Sequence, residues 1–395
     1  MPKRSPDSSP SYNNAIYILG AGFSKPAGLP VADELWKEVV RRALPMSERA
    51  SKFRTSLENY IEYQRRCFGK DLMIETVNFE QFCGYLDIEH HLGLLGSDTW
   101  SAEGNEAQVI IKTLIGQILT ERTPASDKIP QLYIDFAKQL KPYDRILTFN
   151  YDILLERALE AAGVPYRLYP DRYETVHRDG GGTIDWRREE VVVLKMHGSV
   201  DWFDKTTFNW LQEDARFHGH HGFVPHDAIF NSDLRTTPLV EGPRPHDDPI
   251  ANIHRLVDAE AFYRNPALFL STPRLINPST AKVVYASRFC DFWRGLNFMG
   301  GANFRMVIIG YSLPEHDDYA RQVIYEIVDN YQKVPLKMVS VGILERDPLL
   351  IVDLRRDEAA IANIKSTYSF VDWSSAELHL DGFGPAVLDW LRERE

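Results

Sequence analysis

Asn150, Asp152 and His197 have side chains and local settings suited to proton and charge chemistry. Asn150 and Asp152 lie in Thr148-Phe149-Asn150-Tyr151-Asp152, which completes an apolar run starting at Arg145. At a strand-to-helix junction such residues cap helices well, because their side-chain oxygens accept orphan N–H groups. The same junction is also where open α/β sheets carry their site residues. Both readings stand, and one residue can serve both. His197 follows Val191-Val192-Val193-Leu194-Lys195-Met196, so it too emerges at a strand end. A lone histidine there is more often a satisfied structural residue. The Gly198-Ser199 that follows permits a sharp turn and predicts an exposed ring, which favours a site role. An imidazole with a pKa near ~6.5 can shuttle a proton at neutral pH.

A second set of residues is suited to holding phosphate. Gly20-Ala21-Gly22-Phe23-Ser24 follows the apolar run Ala15–Leu19. Glycines there allow a tight turn and close backbone approach, and N–H groups at a helix start face an anion. The full G-x-G-x-x-G fingerprint is absent. Gly310-Tyr311-Ser312-Leu313-Pro314 repeats the idea at another strand end. Gly310 permits close approach and Ser312 could bond a ribose or phosphate oxygen; a plain tight turn is the alternative. Glu345 follows the apolar run Met338–Leu344 and could accept ribose hydroxyls, or be an exposed loop acid. His218, His220, His221 and His226 cluster in sequence but match no standard zinc spacing, and no cysteine is near. Trp202, Phe289 and Trp293 read as core or wall residues.

The elements that must position these residues are short strands alternating with helices. Ala15–Leu19, Arg145–Phe149, Val191–Met196, Arg305–Ile309 and Met338–Leu344 are nearly continuous apolar runs, as expected of strands buried on both faces of a parallel sheet. Ile153 to Ala162 predicts a helix ending at Gly163, and Tyr319 to Tyr331 carries an apolar stripe. The fold class is therefore α/β, a Rossmann-like doubly wound parallel sheet. Two stretches interrupt it: a mostly helical insertion at about 46–140 and a loop-rich one at about 203–280. Residues 1–13 are polar, rich in Ser and Pro, and expected to be a disordered leader. The main domain runs over 14–390.

Composition narrows the function class. The chain has 395 residues, 44% of them hydrophobic, and no apolar stretch of membrane-spanning length. Its three cysteines, Cys67, Cys83 and Cys290, supply neither a disulfide framework nor a four-cysteine zinc site, so a cytoplasmic location is expected. A net charge of −11 at pH 7 argues against direct nucleic-acid binding.

Taken in order, Gly20–Ser24 with Gly28-Leu29-Pro30, Thr148–Asp152, His197-Gly198, Pro278-Ser279 before Phe292-Trp293, and Gly310–Pro314 resemble the motifs of the sirtuin superfamily. The resemblance is to the sirtuin-like NAD-hydrolase family of bacterial antiphage defence, which lacks the zinc module. It implies NAD⁺ as substrate and no metal. Ala21, Gly22 and Phe23 would then line the pyrophosphate and nicotinamide side, with Gly20 shaping the turn and Ser24 supporting the phosphates. Thr148 opens the segment in which Asn150 and Asp152 would hold the nicotinamide ribose and the attacking water. His197 would be the general base, Ser312 would touch the adenosine half, and Gly310 would belong to the cofactor-binding set. Two departures from the deacetylases stand out: the four zinc cysteines are missing, and Thr-Gln-Asn-x-Asp reads Thr148-Phe149-Asn150-Tyr151-Asp152. The activity implied is NAD⁺ hydrolysis to nicotinamide and ADP-ribose, the toxic step of a defence system. Homo-oligomerisation and a separate sensor or activator protein are expected to gate it. The competing readings are NAD-dependent deacylation or ADP-ribosyl transfer, and a subunit that senses NAD⁺ or ADP-ribose without hydrolysis.

Overall fold

A computed structural model describes residues 14–394 apart from 47–50, 97–103, 179–180, 186, 246–247, 265–271, 278, 280–288, 335, 339–341 and 356. The expected leader, 1–13, and Pro278 lie outside the described residues.

Seven strands form one parallel sheet: β1 (Ala15–Leu19), β2 (Arg145–Thr148), β3 (Tyr166–Arg167), β4 (Val191–Lys195), β5 (Arg305–Ile309), β6 (Leu349–Val352) and β7 (Ala376–His379). Their order across the sheet is β7-β6-β5-β1-β2-β4-β3. The apolar runs are explained by burial on both faces, with no residue of β1 more than 4% exposed. Ile18 sits opposite Ile308 on one side and Leu147 on the other. The chain leaves β1 for β2 on one side and later returns through β5 on the other. The carboxyl end of β1 is therefore the topological switch point, where such sheets open a crevice.

The segment between β1 and β2 is helical. After the short α1 (Ala21–Ser24) come α2 (Ala32–Ala43), α3 (Ser51–Phe68), α4 (Phe79–His91), α5 (Glu106–Arg122) and α6 (Gln131–Gln139). Helix α5 is buried almost all round, from Ala107 to Thr120, so it forms the centre of this helical module. Its start is a reciprocal capping box, in which the Asn105 side chain accepts from the Gln108 N–H and Gln108 accepts from the Asn105 N–H. Helix α7 (Leu154–Ala162) ends at Gly163 with φ 68°, the left-handed C′ residue that the sequence predicts.

One expectation is corrected here. Met338–Leu344 is not one strand of the main sheet: Leu336–Met338 and Gly342–Leu344 pair with each other, antiparallel, in a separate two-stranded sheet. The place beside β5 is taken by β6, a four-residue apolar run buried along its whole length. Glu345 therefore precedes β6 and lies at the amino edge of the sheet. Two residues on, Asp347 accepts a 2.6 Å bond from Arg305 at the start of β5. The loop-rich stretch 203–280 also holds regular elements. It contains the helix Thr206–Phe217, and Trp202–Asp204, Ile253–Leu256 and Thr236–Pro238 form a three-stranded antiparallel sheet. Strands of three or four residues are too short to show a period in sequence. Among the described residues, no helix is long and apolar enough to cross a membrane.

Candidate active site

The strand-end loops meet at the switch point because the sheet's hydrogen-bond ladder continues into them. Gly20 N donates to Ile309 O at 3.0 Å and Gly22 N to Gly310 O at 2.9 Å. On the other side Phe149 N donates to Leu19 O, and Met196 N to Thr148 O. A Cβ on Gly20 would stand 2.5 Å from Gly310 O, and one on Gly310, with φ 60°, 2.4 Å from Gly22 Cα. Glycine is thus required where the two loops pack backbone against backbone. The sequence places that close approach between loop and phosphate; the structure places it between loop and loop. Ala21 and Gly22 remain half-buried at the crevice, and Ser312 is exposed.

Ser24, Asn150 and Asp152 form one hydrogen-bonded set. Asn150 Nδ2 donates to Gly20 O at 2.9 Å and to Ser24 Oγ at 3.2 Å. Ser24 Oγ in turn donates to Asp152 Oδ2 at 3.0 Å. The other carboxylate oxygen accepts from Leu154 N at 3.0 Å, so Asp152 also satisfies the first turn of α7. Thr148 Oγ1 accepts from Asn150 N and holds the loop's entry. Burial pushes the Asp152 carboxyl up, opposed by the charge of Lys195 and by the Leu154 and Ser24 donors.

His197 is brought to the same edge, but buried: it is 3% exposed, against the expectation of an open ring. The reason is Gly198. At φ 80° it turns the chain under the segment 274–276, so tightly that a Cβ would stand 1.9 Å from Arg274 O. Ile276 N then donates to His197 O at 2.8 Å. The imidazole Nε2 lies 3.0 Å from Oδ2 of Asp317, a fully buried carboxylate. Asp317 Oδ1 accepts from Ala320 N at 3.1 Å and caps the helix Asp318–Lys333. A carboxylate at Nε2 favours the tautomer with the proton on that nitrogen and basicity on Nδ1. Phe149 meets the imidazole edge-on at 5.1 Å and stacks on Tyr311 at 4.3 Å, which gives the histidine an aromatic wall.

Two residues do not take the place expected of them. Phe23 does not offer its ring to the crevice: it is 1% exposed and packs on Tyr133, Phe136 and Phe383. The helical turn from Gly20 aims it into the core, where Tyr133 also donates to its carbonyl at 2.8 Å. Glu345 is at the opposite edge of the sheet and is not brought to the other residues. Asp317 was not singled out from sequence, because an acid before a helix reads as a cap. Its position shortly after Gly310–Pro314 was the only signal.

Lys195 and Glu156 also escape sequence reading. Lys195 is fully buried at the end of β4, and its Nζ donates to Asp152 O and, at 2.8 Å, to Glu156 Oε1. A lysine closing an otherwise apolar run was the available hint. Among the described residues, no group of three or more His, Cys, Asp or Glu could hold a metal ion. His218 instead lies 3.6 Å from Asp214 on an exposed helix end.

Residues 144–273 match the family model described as a SIR2-like domain. That stretch takes in Thr148, Asn150, Asp152 and His197 and leaves out both glycine loops. No curated protein matches the chain. Among solved structures, it aligns with a sirtuin determined to explain substrate affinity, at 11% identity over 96% of this chain and 93% of that one, with a TM-score of 0.33. It also aligns with a Sir2 enzyme determined for its mechanism and regulation, at 13% identity over 97% and 94%, with a TM-score of 0.32. Scores of that size carry no argument; the fold rests on the strand order and pairing above.

Proposed function

We propose that this chain hydrolyses NAD⁺ to nicotinamide and ADP-ribose, with Asn150, Asp152 and His197 as its catalytic residues. One observation carries the reading: the His197–Asp317 pair and the Asn150–Ser24–Asp152 set lie at the carboxyl edge of adjacent strands, beside the glycine loops at the switch point. The SIR2-like match over the stretch holding Asn150, Asp152 and His197 supports the same chemistry. In this reading Ala21 and Gly22 face the phosphates and Ser312 borders the sugars, while Gly20, Ser24, Thr148 and Gly310 shape the loops from behind. Glu345 and the Phe23 ring have no part.

The bond to be broken joins the ribose C1′ to a cationic pyridinium, so nicotinamide leaves neutral with the bonding electrons. Water supplies the new C1′–O bond. Asn150, held through its Nδ2, presents the carboxamide oxygen for that water to donate to. Asp152 places negative charge beside an oxocarbenium-like ribose. His197 takes the proton that the water loses, a contribution typically worth about 10²–10⁴-fold. Asp317 keeps the imidazole in the receptive tautomer.

Unchecked NAD⁺ loss is toxic to a cell, which fits an effector of bacterial antiphage defence held off by homo-oligomerisation or by a separate sensor protein. The test is nicotinamide release from NAD⁺ by the purified chain, without an acyl acceptor, beside Asn150→Ala and His197→Ala. Release abolished in both variants supports the hydrolase. Release only with an acylated peptide or another acceptor would turn the reading to deacylation or ADP-ribosyl transfer. Binding of NAD⁺ without turnover, with or without the partner, would turn it to a sensing subunit.

A further inference from the structure

We propose that Lys195 and Glu156 are a positioning pair: they fix the backbone of Asp152, and through it the placement of Asp152, Ser24 and Asn150. Lys195 closes β4 and sits in register beside Thr148, the last residue of β2. From there its fully buried side chain reaches the loop leaving β2 and donates to the Asp152 carbonyl. The same ammonium donates to Glu156 Oε1 at 2.8 Å, a carboxylate in the first turn of α7. One cation therefore ties together the end of β4, the Asp152 backbone and the start of α7. The link continues outward. The Asp152 carboxylate accepts from Ser24 Oγ at 3.0 Å, and Ser24 Oγ accepts from Asn150 Nδ2 at 3.2 Å.

Stability alone is a poor reason for this arrangement. Replacing a buried ion pair by well-packed apolar residues is often neutral or stabilising, since both charges must be stripped of water. Here the pairing is also incomplete, because Glu156 Oε2 is buried with no hydrogen-bond partner. An apolar pair would fill the same space without that unmet acceptor. What it could not do is hold the Asp152 carbonyl, the backbone that carries the carboxylate bonded by Leu154 N and Ser24 Oγ. Lys195 touches no reacting atom in this scheme; it acts through Asp152.

Lys195→Met alone leaves Glu156 buried without its cation and is expected to lower the Tm. Lys195→Met/Glu156→Leu removes both charges together and is expected to unfold cooperatively near the wild-type Tm. The kinetic arm rests on the hydrolase reading; amide hydrogen exchange does not. In the double variant, exchange at Asn150–Leu154 should quicken by about tenfold or more while β1 exchanges as in wild type. The kcat for nicotinamide release should fall by about 30-fold or more, with KM for NAD⁺ moving less than about threefold. Wild-type exchange in this segment, or wild-type kcat despite faster exchange, would overturn the proposal. If wild-type protein releases no nicotinamide even with its partner, the hydrolase reading fails, and exchange alone decides whether Lys195 holds the loop.

Discussion

Asp317→Asn is the perturbation that probes the candidate site most directly. The two carboxylate oxygens have separate partners: Oδ2 is 3.0 Å from His197 Nε2 and accepts from Tyr311 OH at 3.5 Å, and Oδ1 accepts from Ala320 N at 3.1 Å. Asparagine caps helices about as well as aspartate, so the helix Asp318–Lys333 keeps its start. Holding that cap with its oxygen, the amide must turn Nδ2 toward His197 and present a donor where an acceptor stood. The imidazole then answers with an unprotonated Nε2, its proton moves to Nδ1, and the base is lost. Loss of a general base costs about 10²–10⁴-fold in kcat, or about 2.7–5.5 kcal/mol of transition-state stabilisation. The change in stability is smaller: exchanging a charge-assisted hydrogen bond for a neutral one costs about 1 kcal/mol. The assay is nicotinamide release across pH, with unfolding measured in parallel and the imidazole nitrogen shifts of His197 recorded by NMR. A fall of at least about 100-fold in kcat, a nearly unchanged fold and a switch of tautomer are expected. A variant within a few-fold of wild type would refute the base assignment. An unchanged tautomer would refute the geometry whatever the reaction is.

Gly310→Ala forces a side chain onto a residue at φ 60° whose Cβ would stand 2.4 Å from Gly22 Cα. The left-handed conformation alone costs about 1–2 kcal/mol, and the loops must part besides. Thermal unfolding should show a lower Tm, and nicotinamide release should be lost; an unchanged Tm would mean the loops do not touch. Phe23→Ala empties a core site and should lower stability by about 3–5 kcal/mol in denaturant unfolding, whereas a loss below about 1 kcal/mol would put the ring back in the crevice. Asp144, at the amino edge, accepts from Ala15 N at 2.7 Å and Lys141 N at 2.8 Å, and burial pushes its carboxyl up to about 6. A raised folded-state pKa means stability that is fully present below the unfolded value and is lost as pH rises through about 6. Asp144→Asn lacks that titration. The stability difference between wild type and Asp144→Asn should therefore shrink by up to about 3 kcal/mol between about pH 3 and 7.5, and a flat difference would refute the assignment.

Much of the scaffold was legible because burial on both faces writes itself into sequence as unbroken apolar runs. β1, β2, β4 and β5 are such runs, and Gly163 marks the end of α7. The strand-end positions of Asn150, Asp152, His197 and Gly310 followed from those runs alone. β6 is also a short apolar run, but Met338–Leu344 competed for its place, and only strand pairing tells an interior strand from a hairpin. The misreading of Glu345 came from that substitution. β3 and β7 sit at the two edges of the sheet, and neither has a run to see: two residues in one, and half-buried positions in the other.

The chain's order of residues by itself determined local facts: the strands β1, β2, β4 and β5, the end of α7 at Gly163, and which polar residues stand at those strand ends. Tertiary structure decided the partnerships. Asp317 reaches His197, Lys195 reaches Asp152 and Ser24 reaches both Asn150 and Asp152 across long stretches of chain. Gly22 and Gly310 owe their glycine to each other, and Phe23 belongs to the core. The physical reason is that a hydrogen bond or a van der Waals contact is set by distance in space. Local sequence encodes burial and backbone preference, whereas the pairing of residues far apart in the chain exists only once the sheet has closed.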